Sequence, residues 1–241
     1  MIKYNNNDIN DWNFVDDNIN KVYRNGRVVY EKVKPLVIKS PLYLERTASQ
    51  NGYIGLGEYF QENTTIEIQF QMTQAKGNVI IGDYGSNDLD DWRVFLNYDR
   101  QTNNLLVYDF INNTRTTYNT GNWAKMFHLE IGNYYIKDLD NNTTLITGSP
   151  KTNFTRPNEM YLFHMDGGQI GANSEYSMTA NIDYGHIYLL KIKQDGVLVK
   201  DYIPWTDTNG NFGLFDKVAK EVHQSTGQMT GSTTWNDVII S

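Results

Sequence analysis

The sequence predicts an all-β protein, a sandwich of two antiparallel sheets, and three observations lead to this fold class. Apolar and polar residues alternate in many short runs, which is the period of a strand with one buried face. The dipeptides Asn25-Gly26 and Asp195-Gly196 separate such runs and favour tight hairpin turns, because both central residues must adopt positive φ. The composition of 17 Tyr, 10 Phe, 5 Trp and only 5 Pro among 241 residues also suits twisted sheets with polar loops.

The N-terminal part, residues 1–34, is predicted to be a small hairpin module. Its strands flank Asn25-Gly26, and Pro35 marks its end because proline interrupts strand pairing. A hairpin of this length has no core of its own and is only marginally stable, so it must pack either on the sandwich or on a partner protein. The residues predicted to make this attachment are Trp12, Phe14, Val22, Val28 and Val29.

Residues 35–241 are predicted to form the sandwich, and their clearest strand covers residues 65–72. In that strand, apolar residues at the even positions alternate with Thr, Glu and Gln, so one face is apolar and the other is polar. Residues 126–131 repeat the alternation, and residues 215–221 are expected to form one helical turn at most. Further strands are expected at residues 79–81, 94–98, 105–111, 134–137, 143–147, 160–165 and 185–193.

Composition and charge exclude several function classes. A formal net charge of −7 without a cluster of Lys and Arg excludes the electrostatic surface of a nucleic-acid binder. The apolar runs are too short for a membrane span, and an N-terminus rich in Asn and Asp is unlike a signal peptide. The lack of Cys excludes disulfides and thiolate zinc sites, as expected for a protein assembled in a reducing compartment.

The sequence contains no catalytic motif, so we expect no catalytic residues and a protein that is not an enzyme. Retaining glycosidases need two carboxyl groups roughly 5 Å apart, whereas Glu67, Glu130 and Glu159 each stand alone on the polar side of a predicted strand. The four His are scattered without metal-binding spacing, and no Gly-x-Ser-x-Gly motif is present. A carboxylate pair assembled from distant strands stays an open alternative.

A calcium site is considered at residues 83–91. This segment contains four Asp and one Asn, which are oxygen ligands that suit Ca²⁺, but it lacks the pattern of an EF-hand. We therefore expect a solvated acidic loop without a tight metal site, and a protein without a cofactor. The weak calcium candidates are Asp83, Asp88, Asp90 and Asp91.

A glycan site is considered where aromatic residues lie near polar loops. Sugars are held by aromatic rings that stack on them and by a few polar groups that fix their orientation. The alternative role of such rings is core packing and cross-strand pairing. The glycan-binding candidates are Trp92, Tyr98, Tyr108 and Trp123.

Several stretches of the sequence resemble one class of proteins. Residues 195–204, DGVLVKDYIP, with residues 212–218, FGLFDKV, and residues 43–54, YLERTASQNGYI, are similar to segments of the concanavalin A-like (laminin G-like) jelly rolls in structural proteins of tailed bacteriophages. Residues 1–12 and 21–30 resemble the N-terminus of virion proteins of gut Bacteroides phages, including crAss-like phages. The resemblance implies a jelly-roll sandwich at residues 35–241, in a virion protein assembled in the cytoplasm of a bacterial host.

The function implied by this resemblance is structural. We expect a non-enzymatic component of the phage particle, a head fibre, capsid decoration or tail accessory protein, which binds other virion proteins through residues 1–34. A homo-oligomer, a dimer or trimer, is expected because symmetric assemblies are common among such proteins. The alternatives are a carbohydrate-binding host adhesin, which is compatible with display on a particle, and a glycoside hydrolase, which the missing carboxylate motif disfavours.

Overall fold

The computed structural model describes residues 21–24, 27–31, 36–46, 52–73, 81–82, 96–99, 104–109, 114–119, 124–148, 155–163 and 185–240, with the backbone alone at 21–31, 96–119 and 155–158. These residues form antiparallel strands and no helix, which confirms the predicted all-β sandwich. The same residues thus provide no helix able to cross a membrane. The strands are β1 (Lys21–Arg24), β2 (Arg27–Glu31), β3 (Leu36–Pro41), β4 (Leu44–Arg46), β5 (Ile54–Gln61), β6 (Thr64–Met72), β7 (Ile81–Gly82), β8 (Leu96–Asp99), β9 (Asn104–Asp109), β10 (Thr114–Asn119), β11 (Met126–Ile131), β12 (Tyr135–Asp138), β13 (Thr143–Thr147), β14 (Thr155–Leu162), β15 (Gly185–Gln194), β16 (Val197–Thr206), β17 (Phe212–Asp216), β18 (Glu221–Gln224), β19 (Thr230–Gly231) and β20 (Trp235–Ile240).

The chain divides into two units, residues 1–37 with 239–241 and residues 38–238. In the first unit, β1 and β2 pair antiparallel with Arg24 opposite Arg27, as predicted for a hairpin around Asn25-Gly26. The boundary predicted between residues 34 and 35 lies outside the described residues and stays a prediction.

Most strands of the second unit belong to one large sheet. Its order is β13-β12-β11-β6-β15-β16-β17-β18. One edge of β15 pairs with β6, while its other edge pairs with β4 near its start and with β16 near its end. Because β4 also pairs with β19, residues from both ends of the unit reach the middle of this sheet. Smaller antiparallel sheets are formed by β5-β14-β7, by β10-β9-β8 and by β20-β3.

The large sheet and the β5-β14-β7 sheet share one apolar core. In β6, the even-numbered side chains are buried and the odd-numbered ones are half-buried, so the alternation in the sequence correctly predicts which side faces the core. The core includes Ile66, Ile68, Phe70, Leu129 and Ile192 from the large sheet and Ile54, Leu56, Phe60, Ile81 and Leu162 from the smaller one.

Two hairpin turns use left-handed backbone conformations. Asp195 and Gly196 have φ of 50° and 77°, which confirms the type I′ turn predicted between β15 and β16. Residues 215–221, where one helical turn at most was expected, contain no helix: β17 and β18 pair there with Asp216 opposite Glu221. Lys220, with φ of 58°, reverses the chain at a position where glycine is usual.

Candidate functional site

The polar face of the large sheet is formed by the side chains that point away from the core. Strand pairing aligns these side chains in rows across the sheet, and three successive rows each join residues that are far apart in the sequence. The first row contains Met126, Gln71, His186 and Glu45; the second contains His128, Gln69 and Leu189; the third contains Lys137, Glu130, Glu67, Lys191 and Asp201.

An aromatic cluster, consisting of Tyr43, His186 and Tyr188, lies at the first row. The rings of Tyr43 and His186 are stacked, with centroids 3.7 Å apart and planes 12° from parallel. The Tyr188 ring is tilted against Tyr43 at a centroid distance of 5.6 Å. All three side chains are half-buried, so the cluster has a packed side and a side that faces solvent.

Polar side chains on neighbouring strands flank this aromatic cluster. His186 Nε2 lies 3.1 Å from Glu45 Oε1, and the Tyr188 hydroxyl donates to Gln71 Oε1 at 3.2 Å. Thr230 in turn donates to Glu45 Oε2 at 3.3 Å. The cluster therefore combines stacked rings with a carboxylate and an amide at fixed positions.

Tyr188 lies at a β-bulge in β15. The register with β6 shifts between Ile187 and Leu189, which leaves Tyr188 as the extra residue. Tyr188 is two residues after His186, so alternation along the strand places both side chains on the polar face, where their ring centroids are 6.2 Å apart. The bulge then places Leu189 opposite Gln69 on the same face. Burial, and then the neighbouring Tyr43, raise the pKa of Tyr188, so its hydroxyl keeps its proton and can donate.

Charged and polar side chains in contact with one another occupy the second and third rows. Glu67 Oε1 lies 2.9 Å from Lys191 Nζ and 3.3 Å from His128 Nε2, while His128 Nδ1 lies 3.1 Å from Asp140 Oδ1. Burial acts to raise the pKa of Glu67, but the hydrogen bonds from Lys191 and His128 outweigh it and hold that pKa below its ordinary value. Glu67 is therefore an ionised carboxylate in this structure.

Glu130 lies directly opposite Glu67, a pairing that the sequence alone did not reveal. The Tyr135 hydroxyl donates to Glu130 Oε1 at 2.9 Å, and burial together with this carboxylate raises the pKa of Tyr135 to about 12. Carboxylates on directly opposed residues approach the separation found in retaining glycosidases. A general acid, however, needs a raised pKa, and Glu67 has a lowered one.

A second polar cluster lies on the core side of the large sheet. The fully buried Asp216 accepts backbone N–H groups of Asp201 and Val218 at Oδ1, and its Oδ2 lies 3.1 Å from Lys200 Nζ. Lys200 Nζ is also 3.2 Å from Glu221 Oε1.

This core-side cluster includes three residues with suitable ligand atoms for a metal ion, Asp216, Glu221 and His223, within 4.8 Å of one another. Lys200 already lies within 3.2 Å of both carboxylates, so its ammonium supplies the positive charge that an ion would bring. His223 Nδ1 lies 3.0 Å from the carbonyl oxygen of Gly55 on β5. The cluster thus joins β16, β17 and β18 to the smaller sheet.

The residues proposed from the sequence are only partly described. Positions 98 and 108 lie on opposite faces of the β8–β10 sheet, because Tyr98 is opposite Leu105 and sides alternate along β9. The glycan site predicted at Trp92, Tyr98, Tyr108 and Trp123 and the attachment site predicted in residues 1–34 therefore both stay predictions. Val22 lies on β1, and Val28 and Val29 lie on β2. The remaining candidates, Trp12, Phe14, Asp83, Asp88, Asp90, Asp91, Trp92 and Trp123, lie outside the described residues.

Comparisons with known proteins give one distant structural likeness. No protein-family model and no curated protein matches the chain. The chain is similar to the crystal structure of a "putative carbohydrate binding protein" from Bacteroides ovatus, with a TM-score of 0.40 and 12% sequence identity. The likeness covers 88% of this chain and 63% of that one, so the chain spans less than two thirds of the protein it matches.

Proposed function

We propose that this protein is a non-enzymatic glycan-binding sandwich and that the polar face of the large sheet holds the glycan. The observation that supports this most directly is the aromatic cluster of Tyr43, His186 and Tyr188, flanked by Glu45 and Gln71.

This arrangement has the chemistry that sugar recognition needs. A pyranose ring has an apolar face that packs on aromatic rings and hydroxyl groups that pair with carboxylates and amides. The face offers both kinds of group, and the hydrogen bonds among Glu45, His186, Tyr188 and Gln71 hold them in place before a ligand arrives. Such preorganisation lowers the entropy lost on binding.

The state of the carboxylates supports binding without hydrolysis. Glu67 is held ionised by Lys191 and His128, and the Glu130 carboxylate accepts the hydrogen bond from Tyr135. Held ionised in this way, Glu67 cannot act as the general acid that protonates a glycosidic oxygen. The proposed function uses no cofactor.

Alanine substitution of the aromatic cluster tests the proposal. The intact protein is screened against immobilised glycans, and the best binder is titrated by calorimetry against wild type and the His186→Ala and Tyr188→Ala variants. Each substitution is expected to weaken binding at least about tenfold, because it removes a ring that the sugar contacts.

Tyr59→Ala is the matched control for this titration. Tyr59 is 44% exposed on β5, in the other sheet, so its loss should leave glycan affinity unchanged. Thermal melts of each variant confirm folding. The proposal fails if no glycan binds, or if the folded Tyr188→Ala and His186→Ala variants bind as tightly as wild type.

A virion role is the second candidate function, and the N-terminal hairpin favours it. β1 and β2 form a two-stranded sheet of their own, and such a hairpin is marginally stable unless another surface covers it. A neighbouring virion protein would supply that surface by strand addition or packing. In this role the sandwich is displayed on the particle, as a dimer or trimer, and glycan binding gains avidity.

Deletion of residues 1–34 tests the virion role. The truncated chain is expected to remain folded and to bind glycans but to lose its association with particles, since attachment is assigned to the hairpin. Fusion of residues 1–34 to an unrelated protein is expected to confer attachment. Full occupancy of particles by the truncated chain would place attachment elsewhere.

A further inference from the structure

We infer that the ligand of the polar face is a neutral oligosaccharide that extends along all three rows, rather than a single sugar or an acidic glycan. This inference rests on the proposed function, and it concerns the length and charge of the ligand. It follows from how the polar side chains are distributed on the face.

The length follows from the strand geometry. Gln71 in the first row and Glu67 in the third are four residues apart on β6, with Gln69 between them. At the rise of an antiparallel strand, the first and third rows are therefore about 13 Å apart. A single sugar ring on the aromatic cluster leaves the third row empty, whereas a chain of several rings reaches it.

The far end of the face, like the near end, has a tyrosine hydroxyl that donates to a polar side chain on a neighbouring strand. Tyr135 donates to Glu130 in the third row, as Tyr188 donates to Gln71 in the first. His128 lies between them in the second row, beside Gln69. An aromatic hydroxyl, a carboxylate and an imidazole are thus repeated along one direction of the sheet.

The charge of the face selects a neutral chain. Its described carboxylates are Glu45, Glu67, Glu130, Asp140 and Asp201, against the ammonium groups of Lys137, Lys191, Lys193 and Lys217, which makes five negative charges to four positive ones. Lys191 is already paired with Glu67 at 2.9 Å. A glycan that bears carboxylates or sulfates meets net negative charge here, and like charges oppose its binding.

Oligosaccharide ladders test this inference on the full-length protein. Neutral ladders of one to six units, the cello-, xylo-, manno- and malto-oligosaccharides, are titrated beside an oligogalacturonate ladder. For the best neutral ladder, affinity is expected to rise at least about tenfold between the single sugar and the tetramer, and the galacturonates should bind more weakly at every length.

The Glu130→Ala variant identifies the far end of the ligand. This variant is expected to bind the four-unit oligosaccharide several-fold more weakly and to bind the two-unit oligosaccharide as tightly as wild type, because only the longer chain reaches the third row. Asp237→Ala is the matched control, since Asp237 is an exposed carboxylate on β20 and should change neither affinity.

The outcomes separate this inference from the proposed function. The inference of an extended ligand is overturned if all lengths of the ladder bind equally tightly, or if Glu130→Ala affects the two-unit and four-unit oligosaccharides equally. Either result leaves the proposal of glycan binding intact. Tighter binding of the galacturonates than of the neutral oligosaccharides overturns the inference that the ligand is neutral. If no sugar binds at all, the proposed function and the inference fail together.

Discussion

Replacing Asp216 by alanine is expected to lower the free energy of unfolding by about 3–5 kcal/mol. Asp216 is fully buried, and Lys200, with only 10% of its side chain exposed, lies 3.1 Å from it. Removing the carboxylate leaves a buried ammonium facing Glu221 alone and also leaves the N–H groups of Asp201 and Val218 without their acceptor. Urea unfolding monitored by tryptophan fluorescence measures the loss.

A double substitution separates charge from packing in this prediction. Asp216→Ala with Lys200→Met removes the uncompensated ammonium and is expected to recover a large part of the stability. Asp237→Ala is the control, because the Lys39–Asp237 pair is 72% and 64% exposed and contributes little. A loss below about 1 kcal/mol for Asp216→Ala, or no recovery in the double variant, would contradict a stabilising role for this pair.

The stabilisation that the Lys200–Asp216 pair gives to the folded state is expected to be lost at alkaline pH. Burial lowers the pKa of Lys200, but hydrogen bonds to Asp216 and Glu221 outweigh burial and raise that pKa above its ordinary value of 10.5. The stabilisation is therefore complete below the pKa that Lys200 has in the unfolded state, and it is lost as the pH rises through the higher pKa that Lys200 has in the folded state.

Replacing Phe70 by alanine is expected to lower the free energy of unfolding by a similar amount, about 3–5 kcal/mol. Phe70 is fully buried in the middle of the large sheet and stacks on Phe127 with ring centroids 5.0 Å apart. The substitution leaves a cavity and removes an aromatic pair from the core. Phe70→Leu should cost clearly less because it fills most of the space.

Tyr59→Ala is the control for the core substitution. Tyr59 is an aromatic residue of similar size that is 44% exposed, and surface changes of this kind usually alter stability by about 0.5 kcal/mol or less. Equal losses for Phe70→Ala and Tyr59→Ala would contradict a core centred on β6.

Local features of the fold could be predicted from the sequence. The even-numbered residues of β6 are buried as their alternation predicts, and the Asp195-Gly196 turn has the positive φ values that its residue types favour. Both depend on residues that are close in the sequence. The turn at Lys220 was not predicted, because a lysine with positive φ gives no local signal.

The candidate site depends on strand pairing and so could not be predicted. Alternation indicates that Glu45 and His186 each lie on a polar face, but only the pairing of β4 with β15 shows that they are neighbours. The opposition of Glu67 and Glu130 likewise requires the register of β6 and β11. The bulge of β15, which places Leu189 opposite Gln69, is an irregularity that no periodic pattern contains.

The histidines provide the most direct test of glycan binding by the polar face of the large sheet. Imidazole NMR signals are assigned by single His→Gln substitutions and followed during titration with the tightest-binding neutral oligosaccharide. We expect the signals of His186 and His128 to shift, because both lie on the polar face, and the signal of His223 to stay, because it contacts β5 on the core side. A shift of His223 without His186, or saturation with no shift of His186, would contradict a glycan site on this face.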